Sequence, residues 1–149
     1  MLHIDPLTML EEALDLVRIR NQCRQMMTND QHEITLDQQK KWFETFYTKQ
    51  MPQRYRVWLL KEEKIIGYFA AKEGDEGFYI TEGIQENSRG KGAGSFLLQT
   101  MVNQKNLWDK HLFVDIFDNN LASIRLHQKC GFVPFEKFNS NTTRYYLRR

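Results

Sequence analysis

Residues 86–98, ENSRGKGAGSFLL, set three glycines and two basic side chains directly before an apolar run. Glycine at that density costs backbone entropy, so a bare backbone has a use there. Phosphate binding is one such use, and three loop patterns compete for the segment. A mononucleotide loop, GxxxxGK[ST], fails because Lys91 is followed by Gly92 and the magnesium-binding hydroxyl is missing. A dinucleotide fingerprint, GxGxxG, fails because Ser95 stands where the last glycine belongs, and because a three-strand meander precedes the loop. The pattern [QR]-x-x-G-x-[GA] is met by Arg89, Gly92 and Gly94. There, backbone N–H groups of residues 89–95, with Gly90 and Ala93 among them, can turn toward a pyrophosphate. Lys91 and Arg89 add positive charge, and a following helix presents its N-terminal end. A glycine-rich surface turn is the plainer reading of the same residues.

Two carboxylates fall within apolar strand runs. Asp115 interrupts an apolar run between Val114 and Ile116, where an unpaired carboxylate is costly and its proton affinity rises. Glu82 shares strand parity with Ile80 and Ile84. Either one also reads as a local structural pairing.

The elements that must place these residues follow from periodicity. Leu10, Leu14 and Val17 recur at helical spacing after Thr8, which with Glu11 makes a capping box. A second helix starts near residues 35–37, carries Trp42, Phe43 and Phe46 as its apolar stripe, and is closed by Pro52. RYRVWLL and KIIGYFAAKE read as a hairpin turning at residues 61–64, and GFYITEGIQ adds a third strand. Residues 95–106 read as a helix, KHLFVDIFD as a buried strand, and NNLASIRLHQKCGF as a helix opened by Asn120 and closed by Gly131. FVPFEKF and TTRYYLRR end the chain as short strands, with Arg144 a solvated edge. The order βααβββαβαββ predicts an α/β (α+β) fold, a mixed sheet with helices on both faces, in one domain over residues 1–149.

Bulk composition narrows the classes further. The chain has 149 residues, of which 41% are hydrophobic and 13% aromatic, ordinary for a folded globular protein. Its 21 basic and 19 acidic side chains leave a net charge of +2, too little to argue for a nucleic-acid or membrane partner. Cys23 and Cys130 are far apart and have no CxxC or His clustering, so neither a disulfide framework nor a metal site is indicated. With no run of about 18 apolar residues and no signal-peptide pattern at the start, the expectation is a soluble cytoplasmic protein.

With the loop and the last helix both in view, the chain resembles a family, the GCN5-related (GNAT) N-acetyltransferases. Residues 89–94, RGKGAG, match that family's acetyl-CoA pyrophosphate loop, in its place after a third meander strand. Asn120, Ser123, Ile124, Leu126, Lys129, Gly131 and Phe132 follow its N-x-x-[AS]-I-x-L-Y-x-K-x-G-F helix. The resemblance implies a GNAT fold with a mostly antiparallel central sheet and acetyl-CoA (coenzyme A) as cofactor. It implies an amine attacking the thioester directly. The pantetheine arm would lie along Glu82, Gly83 and Ile84, with Asn120 as a hydrogen-bonding partner.

For catalysis, the resemblance implies a general base and a general acid. His127 stands where the family has its tyrosine acid, and an imidazolium can donate a proton to the departing thiolate. The alternative is a polar helix residue facing the cofactor. Asp115 precedes His127 by the spacing at which ribosomal-protein alanine acetyltransferases carry a catalytic glutamate. Acidic residues at the position of Glu82 act in other members as direct or water-relayed bases.

The opening of residues 19–43 resembles a subgroup that includes acetyltransferases of 4-amino nucleotide sugars. Arg20, Asn21, Arg24, Met27, Ile34, Trp42 and Phe43 follow its pattern, while Ile19 and Gln39 depart from it. It implies Arg20, Asn21 and Arg24 as substrate-binding residues. Three functions stand as expectations: acetylation of a small amine such as an amino sugar nucleotide, acetylation of a protein N-terminus or lysine, or non-catalytic acyl-CoA binding. A small-molecule amine or a peptide is the expected partner, and the chain is expected to be a monomer or homodimer.

Overall fold

The computed structural model describes residues 1–28, 30–50 and 54–148. Seven strands form one sheet: β1 (His3–Pro6), β2 (Tyr55–Glu62), β3 (Lys64–Glu73), β4 (Gly77–Ile84), β5 (His111–Phe117), β6 (Val133–Asn139) and β7 (Thr142–Leu147). Their spatial order is β1-β2-β3-β4-β5-β7-β6. Every neighbouring pair is antiparallel except β4 and β5. The helices are α1 (Leu10–Cys23), α2 (Leu36–Trp42), the short α3 (Thr48–Gln50), α4 (Ala93–Val102) and α5 (Leu121–Lys129). Apart from the extra turn of α3, this is the expected order.

Strand alternation divides the core into two layers. Val57 and Leu59 of β2 face α1 and α2, whereas Trp58 and Leu60 face the side of α4. In β3 the alternation is interrupted by a bulge opposite Leu60 and Lys61. The extra residue allows Ile65 to share a face with Tyr68 and Ala70. Ala13, Leu16, Val17, Ile19 and Cys23 are the buried side of α1, which takes in Val17 but not Leu10 or Leu14 of the expected stripe, and Ala93, Leu97, Leu98, Met101 and Val102 are that of α4.

Three boundaries differ from expectation. The N-cap of α1 is Met9 rather than Thr8, and the carboxylate that reaches back is that of Glu12, accepting from Thr8 and Met9 N–H at 3.2 Å each. In the second helical segment, Thr35 and Gln38 form the capping box, with Thr35 accepting from Gln38 N–H. A π-helical turn then runs over Phe43–Tyr47. Its wider turn shifts the buried position, so Tyr47 is buried and Phe46 is exposed. Tyr47 Oη donates to the Leu7 carbonyl at 2.9 Å, which ties this segment to the end of β1. Pro52, expected to close that helix, lies outside the described residues. Helix α4 starts earlier and stops sooner than residues 95–106, because Gly92 caps its start and the buried Trp108 indole takes the Met101 carbonyl at 2.8 Å. Among the described residues no helix is long and apolar enough to cross a membrane.

Candidate active site

Strands β4 and β5 pair only at Gly77–His111, Phe78–Leu112 and Tyr79–Phe113. Beyond these positions each strand keeps its other partner: β4 stays with β3 to Ile84, and β5 stays with β7 to Phe117. The two edges part, and a cleft of about 310 Å³ opens between Ile80–Ile84 on one side and Val114–Ile116 on the other. That size suits a small ligand or one arm of a larger one. Gly83 keeps this edge close to α1, since a Cβ there would sit 2.6 Å from the Tyr68 ring and 3.0 Å from Cys23 Sγ.

The glycine loop closes one end of the cleft. Gly90 and Gly92 have φ of +75° and +86°, a left-handed backbone that favours glycine, and neither would crowd anything with a Cβ. They are there for chain direction. Gly94 lines the cleft between Ile84 and Leu126, and its missing side chain leaves that wall flat. With Gly92 as its N-cap, α4 has no side-chain cap, and its first intrahelical bond from the start is Phe96 N–H to Gly92. The N–H groups of Ala93, Gly94 and Ser95 are therefore left to an external acceptor, an arrangement that suits a phosphate. Lys91 is exposed beside them. The Arg89 guanidinium is engaged within the protein: Nε donates to the Ile84 carbonyl at 2.9 Å and Nη2 to the Gln22 carbonyl at 3.2 Å. It braces the loop against α1 while adding charge. The uncapped helix and flat wall fit a coenzyme A pyrophosphate and its pantetheine arm.

Two of the expected catalytic residues meet in the wall of this cleft. Glu82 lines it, and its Oε1 lies 2.5 Å from Nε2 of His127 on α5. The approach is off the direction of a hydrogen bond, so it is a charge contact, and Glu82 Oε2 is buried without a hydrogen-bond partner. His127 is fully buried, lies behind Glu82 rather than among the residues lining the cleft, and packs edge-on against Phe132. Its Nδ1 is 2.7 Å from the Ser123 carbonyl one turn earlier, which fixes the proton on Nδ1 in the neutral ring. Burial pushes the imidazole pKa down, but the Glu82 charge and contact and the Ser123 carbonyl outweigh it, so it lies above the ordinary value. Asn120 caps α5, its Oδ1 accepting from Ser123 N–H at 3.3 Å, and it also lines the cleft. The amide nitrogen is the end it can offer to a ligand.

Asp115 also lines the cleft, but its carboxylate is forked by Arg144, with Nε at 2.7 Å and Nη2 at 3.0 Å. Arg144, read from the sequence as a solvated edge, is instead mostly covered, its guanidinium over the rings of Tyr79 and Phe138. No local sequence signal pairs it with Asp115, because the register of β5 on β7 sets that contact.

The three polar residues of α1 and its end part company. Asn21 exchanges hydrogen bonds with Ile34, accepting its N–H at 2.9 Å and donating to its carbonyl at 3.0 Å. Arg24 faces Glu33 at 3.5 Å. Both hold the chain between α1 and α2. Arg20 alone among them lines a second cleft, on the α1 face of the sheet. Tyr68 lines that cleft too, which the sequence, reading it only as a strand aromatic, did not single out.

The chain is similar to known acetyltransferases in sequence and in fold. A sequence model described as the acetyltransferase (GNAT) family matches residues 14–132. A protein of Bacillus subtilis (strain 168) named "Putative phosphinothricin acetyltransferase YwnH" is 31% identical over 124 residues, covering 76% of this chain and 72% of its own. Among solved structures, a GNAT superfamily phosphinothricin acetyltransferase from Sinorhizobium meliloti, in complex with AcCoA, superposes with a TM-score of 0.78 at 17% identity. That match covers 99% of this chain and 88% of the other. A ribosomal-protein-alanine N-acetyltransferase from Brucella melitensis gives 0.77 at 19% identity, over 99% and 98% of the two chains.

Proposed function

We propose that this chain, which belongs to the acetyltransferase (GNAT) family, binds acetyl-CoA in the cleft between β4 and β5 and acetylates a small amine. The observation that carries the reading is the parting of the two strands beside an uncapped helix start. Bound acetyl-CoA supplies an acetyl group activated as a thioester. The chain's own residues do the rest. The N–H groups of Ala93, Gly94 and Ser95, with Lys91 nearby, hold the pyrophosphate. The free edge of β4 at Glu82, Gly83 and Ile84 binds the pantetheine amides, and Asn120 adds a side-chain contact.

Glu82, which lines the cleft, takes the proton from the incoming ammonium, and its Oε2 has no hydrogen-bond partner to compete for it. His127 is the positioning residue for that carboxylate. It holds Oε1 from behind and is itself fixed by Ser123. Its Nδ1 is taken up by the Ser123 carbonyl and its Nε2 lies against the Glu82 carboxylate, away from the cleft lining, which favours positioning over a role as acid to the leaving thiolate. Asp115, engaged with Arg144, shapes the cleft wall. With Asn21 and Arg24 used within the loop, the support goes to a compact amine rather than to a nucleotide diphosphate.

Release of the coenzyme A thiol from acetyl-CoA, followed across a panel of small amines and peptides, tests this reading. Turnover with at least one small amine is expected. A chain that binds coenzyme A tightly but turns over no amine would be a binding module, and turnover of peptides alone would move the acceptor to a protein.

A further inference from the structure

On the α1 face, two buried polar atoms have no hydrogen-bond partner: Nη1 of Arg20 and Oη of Tyr68. A buried guanidinium nitrogen and a buried hydroxyl left unbonded are each costly, which points to a ligand that completes them. Both side chains line the same cleft of about 560 Å³. Arg20 is held there, because its Nη2 donates to the Asp30 carbonyl at 3.0 Å. Tyr68 is pressed against Gly83, and burial pushes its pKa up, so it stays a neutral donor. Thr81 and Met27 line this cleft and also the cleft between β4 and β5, so the two spaces adjoin. The acidic side chains that line it are largely exposed and engaged, Asp30 with His32 at 2.9 Å and Glu33 with Arg24 at 3.5 Å; the Asp30 charge also reaches Arg20, and that of Glu82 reaches Tyr68.

A permanent cation and a hydroxyl donor, both unpartnered on residues that line one small space, call for an anion with exposed oxygens. We propose that Arg20 and Tyr68 form an anion subsite that selects acceptors carrying a compact carboxylate or phosphonate. The subsite seats that group under α1 and directs the amine past Thr81 toward the cofactor cleft. The proposal rests on the acetyltransferase reading for the fate of the amine, but not for the binding of the anion.

The test compares amino acids with their neutral counterparts, using L-methionine, 4-aminobutanoate and 2-aminoethylphosphonate against L-methioninamide, 4-aminobutanamide and ethanolamine. Binding is read by calorimetry and turnover by thiol release. At least one acid should bind, and it should be preferred over its neutral counterpart tenfold or more in kcat/KM. Arg20→Gln should collapse that preference mainly through KM, Arg20→Lys should restore part of it, and Tyr68→Phe should weaken it less. Stabilisation by coenzyme A checks that each variant folds; if Arg20→Gln does not, Tyr68→Phe carries the comparison. Acid binding that Arg20→Gln removes, in a protein that turns over no amine, would keep the subsite and sink the enzymatic reading. Failure of every acid to bind, or an acid-to-neutral preference that the folded variants leave unchanged, would overturn the subsite.

Discussion

Glu82, His127 and Asp115 are all carboxylate or imidazole groups near one cleft, and their partners separate their roles. Glu82 lines the cleft and keeps one carboxylate oxygen without a hydrogen-bond partner. Glu82→Gln should lower kcat by about 100-fold or more, the scale of a general base, with little change in coenzyme A affinity. The pair with His127 also makes stability depend on pH. Because the folded pKa of His127 is raised, its contribution is fully present below the unfolded value of about 6.5 and is lost as pH rises through the folded value. Denaturant unfolding of the wild type and His127→Gln should differ most at low pH and converge at high pH; a constant difference would contradict the pairing. Asp115→Asn breaks a forked, mostly covered ion pair. It should cost about 1–3 kcal/mol in unfolding free energy while changing kcat less than tenfold. A loss of kcat matching that of Glu82→Gln would make Asp115 the base.

At the scale of elements, the glycine loop and α5 were legible in the sequence because both are local devices. Asn120 and Gly131 mark the ends of α5 by cap chemistry, and the glycines of the loop mark a chain that must turn left before a helix. Even so, the sequence treated the glycines alike, whereas the fold separates Gly90 and Gly92, needed for their positive φ, from Gly94, which leaves a wall flat. Gly92→Ala should cost about 1–2 kcal/mol of backbone strain without a clash, and should weaken coenzyme A binding in a thermal-shift titration by misdirecting the first turn of α4. Undiminished affinity would mean that this turn does not hold the pyrophosphate. What the sequence did not disclose lies across elements. Glu82 and His127 come from β4 and α5, and Asp115 and Arg144 from β5 and β7, so each pair depends on packing or register that no window of sequence contains. The π turn at Phe43–Tyr47 is a smaller case, since it moves the buried aromatic by one position inside an otherwise well-marked helical segment.

At the scale of the whole molecule, the one parallel junction of the described sheet is where two strands part while each keeps its other partner. The cleft proposed for the cofactor lies at that place, the glycine loop at its end, and the Arg20 cleft against it on the α1 face. Coenzyme A bound there should stabilise the fold by about 2.7 kcal/mol at one hundred times its Kd. That stabilisation alone would not distinguish an enzyme from a binder. The most direct test is to follow, in one sample, acetyl-CoA consumption and the mass of the amine. An acetyltransferase releases the thiol only in the presence of the amine and leaves that amine carrying one acetyl group, which is the expected result. Coenzyme A binding with thiol release that is absent, or that does not depend on the amine, would contradict it.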